Sequence, residues 1–370
     1  MPHFRANESD VTSTPLTQSS RNHGLTELWY SRCPVATATS VAIEQGFFDR
    51  RFTPLGLAVR SLRSSNDPAV RLAHYTNDHP AMFREGGLVP PLWTKAKGTP
   101  TTLLALGWIS EFQGIIVRRD SPIVAGTDLR GARIGLPRRV GQPIDFPRAI
   151  RGHGIVRCLT HVGLHESDVE LVDLVSDEAF LTEAPPTHSG SLYTARENAR
   201  SQTIEILALV RGEVDAIFTS GGYGREITEL IDARVVVELP GHGDDAWGNH
   251  LRVLTVSTDL VTRHRELVVA YAAALFGAAD WAHHHSRDAW RIVAAELGLA
   301  EEWATLGNDE ATPSHLAPDL SDPLLDEATR RADYYHQRGF LERPVDFDAW
   351  LDPTVIDEVR QHLARTEFRA

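Results

Sequence analysis

The sequence predicts an α/β protein of two lobes with a helical C-terminal third. Three observations point there. Short apolar runs alternate with stretches of helical spacing from Leu25 to Leu239, the pattern of a parallel, doubly wound sheet with helices on both faces. A further short strand, Thr255–Ser257, can then return the chain to the first sheet, and beyond it the chain turns helical. Such a return makes one lobe from residues 25–113 with 254–370 and a second from 114–253, with a cleft between them.

Residues 1–24 are polar and rich in Ser and Thr, and read as a loose arm. Glu27–Ser31 reads as a short buried strand. Cys33-Pro34 then opens a helix, with Val35, Ala38, Val41 and Ala42 at helical spacing and Gly46 closing it. Leu55, Leu57 and Val59 alternate as a second strand should. The segment His74–Trp93, HYTNDHPAMFREGGLVPPLW, is dense in Gly, Pro and polar residues and reads as a functional loop. Thr101–Ile109 and Ile115–Val117 supply two more strands.

The second set of units follows Asp120. Strands are expected at Ala132–Leu136, Val169–Leu174, Val214–Phe218 and Val235–Leu239, and helices at Ile150–Val162 and Thr203–Val210, the latter ended by Arg211-Gly212. The C-terminal helices cover Glu266–His285, Arg287–Leu297 and Asp326–Gln337. Open α/β sheets bind ligands at the carboxyl ends of their strands, so the turns after Ser31 and Leu136 should face the cleft.

Composition narrows the partners. The 370 residues include 50 acidic and 37 basic side chains, a formal charge of −13 that repels nucleic acid and anionic lipid. No apolar run approaches the roughly 18 to 20 residues that span a bilayer, and the first 24 residues hold no apolar core, so a cytoplasmic protein is expected. Two cysteines are too few for a disulfide framework.

One of the two is placed for chemistry. Cys33, just before Pro34, would sit at a helix N-terminus, where the dipole and free N–H groups favour the thiolate; the competing reading is a small buried filler. Cys158, beside Val156 and Leu159, belongs to the core. His74, Asp78, His79 and Arg84, ahead of Gly86-Gly87, suit a small anionic head group: a histidine exchanges protons with a thiol, an arginine grips an oxyanion, and glycine admits backbone donors. A metal at His74, Asp78 and His79 lacks the helical i, i+4 spacing, and none is expected. His283, His284 and His285 are consecutive, cannot converge, and read as a solvated helix end. Gly221-Gly222-Tyr223-Gly224 has no dinucleotide spacing and reads as a strand-end turn near the cleft.

Longer motifs carry a resemblance. DSPIVAGTDLRGARIGLP, followed by RGEVDAIF, resembles the second-lobe signature of type II periplasmic-binding folds that handle sulfonate, taurine, nitrate and thiamine precursors. YSRCPVATATSVAIEQGFFD and HYTNDHPAMFREGGLVPPLW resemble the active-site segments of the 2'-hydroxybiphenyl-2-sulfinate desulfinase family. The resemblance implies that Cys33 is the essential thiol, His74 its partner and Arg84 the ligand of the sulfinate oxygens, helped by the backbone at Gly86-Gly87. It implies release of sulfite from an aryl sulfinate without metal or organic cofactor, by attack of the Cys33 thiolate on sulfur or by protonation of the ipso carbon from the Cys33 thiol. The chain departs from the family pattern at RSLRSSNDP, at His79 and Met82, and over Val140–Arg151, where Phe146 is a candidate aromatic wall. The expected partner is thus a small organic anion, and the expected state a monomer. Two other functions fit the same cleft: a solute-binding protein of an ABC uptake system for a sulfonate-like anion, and a cysteine enzyme of this fold acting on another anion.

Overall fold

The computed structural model describes residues 24–177, 202–241 and 249–367, so the predicted arm lies outside it but for Gly24. Two five-stranded sheets form the frame. The first holds, in spatial order, β2 (Ala58–Ser61), β1 (Glu27–Ser31), β3 (Met82–Gly87), β10 (Asn249–Ser257) and β4 (Thr101–Ser110). The second holds β7 (Glu170–Ser176), β6 (Arg133–Arg139), β8 (Ala216–Ser220), β5 (Gln113–Arg118) and β9 (Ala233–Glu238).

The sheets are mixed, which corrects the purely parallel expectation. β1 runs parallel to β2 and β3, and β6 parallel to β7 and β8, each joined through helices. β10 runs antiparallel to β3 and β4, and β5 antiparallel to β8 and β9. The reason lies in how the chain changes sheets. Only Glu111 and Phe112 separate β4 from β5, so β5 starts beside the carboxyl end of β8, with Gln113 opposite Ser220. β10 likewise enters the first sheet beside the end of β3, with Arg252 opposite Gly87, and must run against it.

Three local corrections follow. The return strand begins at Asn249, well before Thr255. The helix after Cys33 spans Ala38–Glu44, and its N-cap is Thr37, whose hydroxyl accepts from the Ser40 N–H. Cys33 therefore lies in the β1-to-helix connection, where Val35 N–H donates back to Cys33 C=O at 2.8 Å, and no helix N-terminus favours its thiolate as the sequence suggested. The predicted loop His74–Trp93 is instead the end of the helix Pro68–Thr76, all of β3, and the start of the helix Val89–Lys97. Its prolines fit: Pro90 and Pro91 occupy the helix's first turn, where no N–H is required.

The C-terminal helices cover the first sheet. Arg265–His284 is rich in alanine, and its small side chains let Tyr271 stack on Phe83 of β3 at 3.8 Å and on Phe48 at 4.5 Å. The helix Asp322–Gln337 closes a second apolar cluster in which Leu324, Ala328 and Ala332 meet Leu103 and Leu106 of β4 and Ala149 of the helix Phe146–His161. Cys158 is fully buried on that last helix, and burial pushes its thiol up to about 12. His283, His284 and His285 are exposed at a helix end. No helix among the described residues is long and apolar enough to cross a membrane.

Candidate active site

The site grows from the ends of β1 and β3. Ser31 closes β1 and stands in register with Arg84 of β3, so both side chains leave the sheet on one face. The chain then turns at Cys33-Pro34 and brings the Cys33 sulfur over β3. Arg84 Nη2 donates to Cys33 Sγ at 3.5 Å, and Arg84 Nη1 to Gly87 C=O at 2.9 Å. The buried Arg84 Nε has no hydrogen-bond partner among the described residues, which leaves a donor for an anion. Gly86 has to be bare at this point: an added Cβ would stand 2.3 Å from Cys33 Sγ.

His74 arrives from the helix Pro68–Thr76. Its Nε2 lies 4.0 Å from Cys33 Sγ, and its Nδ1 pairs with the Ser31 hydroxyl. That helix is seated by residues 60–68. Ser61-Leu62-Arg63 turns the chain out of β2, Asp67 caps the helix by accepting from Ala69 N–H at 2.9 Å, and Leu62, Ala73 and Met82 pack together beneath it. His79 points elsewhere, against the Trp29 ring at 5.8 Å, while Asp78 accepts from the Thr76 hydroxyl. The three residues weighed as metal ligands thus diverge, and among the described residues no three His, Cys, Asp or Glu side chains gather to hold a metal ion.

Burial sets the charges. Cys33 is 8% exposed, His74 2% and Arg84 1%. Burial pushes the Cys33 thiol above its ordinary 9.0, although the Arg84 charge and a hydrogen bond from the Gly87 backbone pull the other way. Burial likewise drives the His74 imidazole well below 6.5, and the guanidinium charges of Arg84 and Arg63 add to that. The resting site is a neutral thiol and a neutral imidazole beside a guanidinium.

Two buried ion pairs hold this geometry from behind. Glu85, next to Arg84 and therefore on the opposite face of β3, accepts from Arg252 Nη1 at 3.0 Å and from the Thr39 N–H and hydroxyl at 2.9 and 2.7 Å. Arg32, next to Cys33, donates through Nε to Glu296 at 2.7 Å.

In front of the thiol lies a cavity of ≈ 230 Å³ between the sheets. Phe146, the first residue of the helix Phe146–His161, forms its wall by stacking on Tyr75 at 6.0 Å and 28°. Gly221-Gly222-Tyr223 borders the cavity as the first turn of the helix Gly221–Leu230, which corrects the strand-end turn expected there. The structure therefore brings Cys33, His74, Arg84, Gly86, Gly87 and Phe146 into one place. Ser31, Tyr75, Glu111 and His250 complete it without having been singled out in the sequence. Ser31 sits two residues before the cysteine within YSRCP, and alternation along β1 was the signal that could have found it.

A thiol, an imidazole and a guanidinium at the strand ends of a two-sheet α/β frame define a thiol-bearing member of the type II periplasmic-binding fold. The frame matches the periplasmic sulfonate-binding protein SsuA of Methylobacillus flagellatus KT at TM-score 0.67 over 92% of this chain and 95% of that one, with 17% identity, a likeness of fold alone. The chain is 30% identical to 2'-hydroxybiphenyl-2-sulfinate desulfinase of Rhodococcus erythropolis over 354 residues, 89% of this chain and 92% of that one, and equally to the enzyme of Rhodococcus qingshengii. The chain belongs to the 2'-hydroxybiphenyl-2-sulfinate desulfinase family. The crystal structure of a cysteine-to-serine mutant of DszB in complex with biphenyl-2-sulfinic acid superposes at TM-score 0.73 over 91% of this chain and 99% of that one, with 29% identity. The desulfurization enzyme DszB itself superposes at 0.69 with 30% identity. No protein-family model matches the sequence.

Proposed function

We propose that this protein is a desulfinase, a hydrolase that cleaves the carbon–sulfur bond of an aryl sulfinate and releases sulfite with water as its only co-substrate. The observation that carries this is the placement of Cys33, His74 and Arg84 together at the head of an aromatic-walled cavity. Arg84 and the Gly87 backbone hold the sulfinate oxygens, and Phe146 and Tyr75 hold the aryl group.

The neutral thiol supports proton donation: Cys33 protonates the ipso carbon, the carbon–sulfur pair goes to that carbon, and sulfur departs as SO2 that water converts to bisulfite. The Arg84 contact to the sulfur supports the second reading: the Cys33 thiol passes its proton to His74, and the thiolate attacks sulfur. The carbon–sulfur pair leaves with the aryl carbon, which takes that proton from His74 to become the arene, and the Cys–S–SO2⁻ adduct is resolved by water. In both, donors around the sulfinate stabilise oxygen charge. Each sheet would head a lobe, with the bounds moved to the strand ends, 25–112 with 249–367 and 113–241, and the cavity is completed inside one chain, which suits a monomer. A thiol that must stay reduced suits the cytoplasm.

The test is sulfite release from biphenyl-2-sulfinate, its 2'-hydroxy derivative and simpler aryl sulfinates, with Cys33→Ser as control. Release by the wild type alone is expected. Equal release by both proteins would remove Cys33 from the reaction, and tight binding without release would assign the cavity to transport.

A further inference from the structure

Sulfur enters the proposed reaction bearing two oxygens and leaves as sulfite bearing three. The third comes from water, and some group must take a proton from that water. The Cys33 side of the cavity is ill suited: His74 is nearly inaccessible, its Nδ1 is engaged by Ser31 and its Nε2 faces the thiol.

A second imidazole stands on the other side of Gly87. His250, near the start of β10, pairs through Nδ1 with Glu111 Oε1 at 3.2 Å. A carboxylate can only accept, so Nδ1 carries the hydrogen and Nε2 is left with its lone pair. That Nε2 is the atom nearest the open side of Gly87, 3.5 Å from where a Cβ would stand. Gly87 is the residue whose N–H meets the Cys33 sulfur and whose C=O meets Arg84. His250 and Glu111 both line the main cavity and are 19% and 14% exposed, so they are wetter than the thiol. They also border a second, smaller cavity of ≈ 30 Å³ with Gln113 and Arg157. A space of that size with several polar walls is large enough for a water molecule.

We propose that His250, oriented by Glu111, is the base that deprotonates the water supplying the third oxygen of sulfite. The inference rests on the desulfinase reading. As the water oxygen bonds to sulfur, one water proton moves to His250 Nε2. In the adduct route the sulfur–sulfur bond breaks, its electron pair returns to Cys33, and the proton on His250 restores the thiol. In the proton-donor route water adds to SO2 still held in the cavity, and the same proton restores the thiol. Neither route needs an oxidant or reductant. Glu111 is a positioning residue, because it acts through His250.

The experiment follows arene and sulfite separately in a single turnover of biphenyl-2-sulfinate by the wild type, His250→Phe, His250→Gly and Glu111→Gln. In His250→Phe the arene should appear at the wild-type rate while sulfite lags, with kcat down about 100-fold and KM little changed. Added imidazole should restore sulfite formation in His250→Gly and leave the wild type unaffected. Glu111→Gln should show a smaller lag. Arene and sulfite rising together in His250→Phe, or a His250→Gly protein that imidazole does not rescue, would overturn the assignment. Absence of sulfite from the wild type with every sulfinate would instead overturn the desulfinase reading.

Discussion

The sulfur of Cys33 lies directly over the bare Cα of Gly86, so close that a methyl group there would stand 2.3 Å from Sγ and 2.8 Å from the Cys33 Cβ. No real contact is that short, and because Cys33 Cβ is also too close, the Cys33 backbone must shift together with the sulfur. Gly86→Ala should therefore fold, because Gly86 needs no positive φ, but push the thiol away from Arg84 and His74. A shift of about 1 Å at reacting atoms can cost about 100-fold. We expect kcat for sulfite release to fall about tenfold or more, while the protein still unfolds cooperatively at a measurable Tm. Unchanged kcat would show that the sulfur position over β3 is unimportant.

The Glu85–Arg252 pair makes a stability prediction. Both side chains are buried beneath β3, and Arg252 also donates to Leu316 C=O at 3.2 Å and to His315 C=O at 2.5 Å. Arg252→Met removes one charge and leaves Glu85 buried, with Thr39 as its remaining hydrogen-bond partner among the described residues. Breaking such a pair costs about 3–5 kcal/mol. Denaturant unfolding should show that loss, and Glu85→Gln combined with Arg252→Met should recover part of it. A double variant as unstable as the sum of its parts would mean that the two charges do not compensate each other.

How much of this was legible in the sequence depends on what each residue had to reveal. Cys33, His74 and Arg84 could be chosen because a thiol, an imidazole and a guanidinium near two glycines suit an anion and stand in segments that resemble a family's active-site motifs; without that resemblance Cys33 reads equally well as a buried filler. Their local structure could not. Pro34 imitates a helix start, but the true cap is Thr37, because the hydroxyl that meets a free N–H is there. The segment around Arg84 imitates a loop, since its glycines and prolines hide a strand buried at the centre of a sheet. His250 and Glu111 were invisible for another reason: they lie 139 residues apart, and only the return of β10 beside β4 brings them together. Phe146 was a candidate because it is the aromatic residue in residues 140–151, the second-lobe segment expected to approach the ligand; that it opens a helix and stacks on Tyr75 emerged only in the fold.

His74 carries a pH prediction for stability. Its folded-state pKa lies well below 6.5 because burial and the Arg84 and Arg63 charges disfavour the imidazolium. A depressed value contributes stability that is present above the unfolded pKa, near 6.5, and is lost as pH falls below it. His153, buried near Arg331 and Arg157, acts in the same direction. Glu296, whose carboxyl burial raises, acts oppositely but is common to both proteins compared. Between pH 7.5 and 5, His74→Gln should lose less Tm than the wild type, with a difference approaching one proton, about 1.4 kcal/mol per pH unit. Equal slopes would mean that His74 is not held neutral.

The last prediction separates the two roles of Cys33. Its thiol sits above 9.0 because burial outweighs the Arg84 charge and the Gly87 hydrogen bond, so the protonated form persists through neutral pH and beyond. A proton donor is active in that form. If Cys33 protonates the ipso carbon, kcat/KM should stay level from pH 7 to 9 and fall only at higher pH, as the thiol is lost. If the thiolate attacks sulfur, the scarce form is the active one, and kcat/KM should climb roughly tenfold per pH unit over the same interval, because the thiolate fraction does. The sign of the slope between pH 7 and 9 therefore decides the mechanism, provided that Tm measured alongside shows the fold intact. Burial of Cys33 predicts the level profile. A steep rise would assign the chemistry to the thiolate, and it would mean that the bound sulfinate brings Arg84 closer to the sulfur than the 3.5 Å found here.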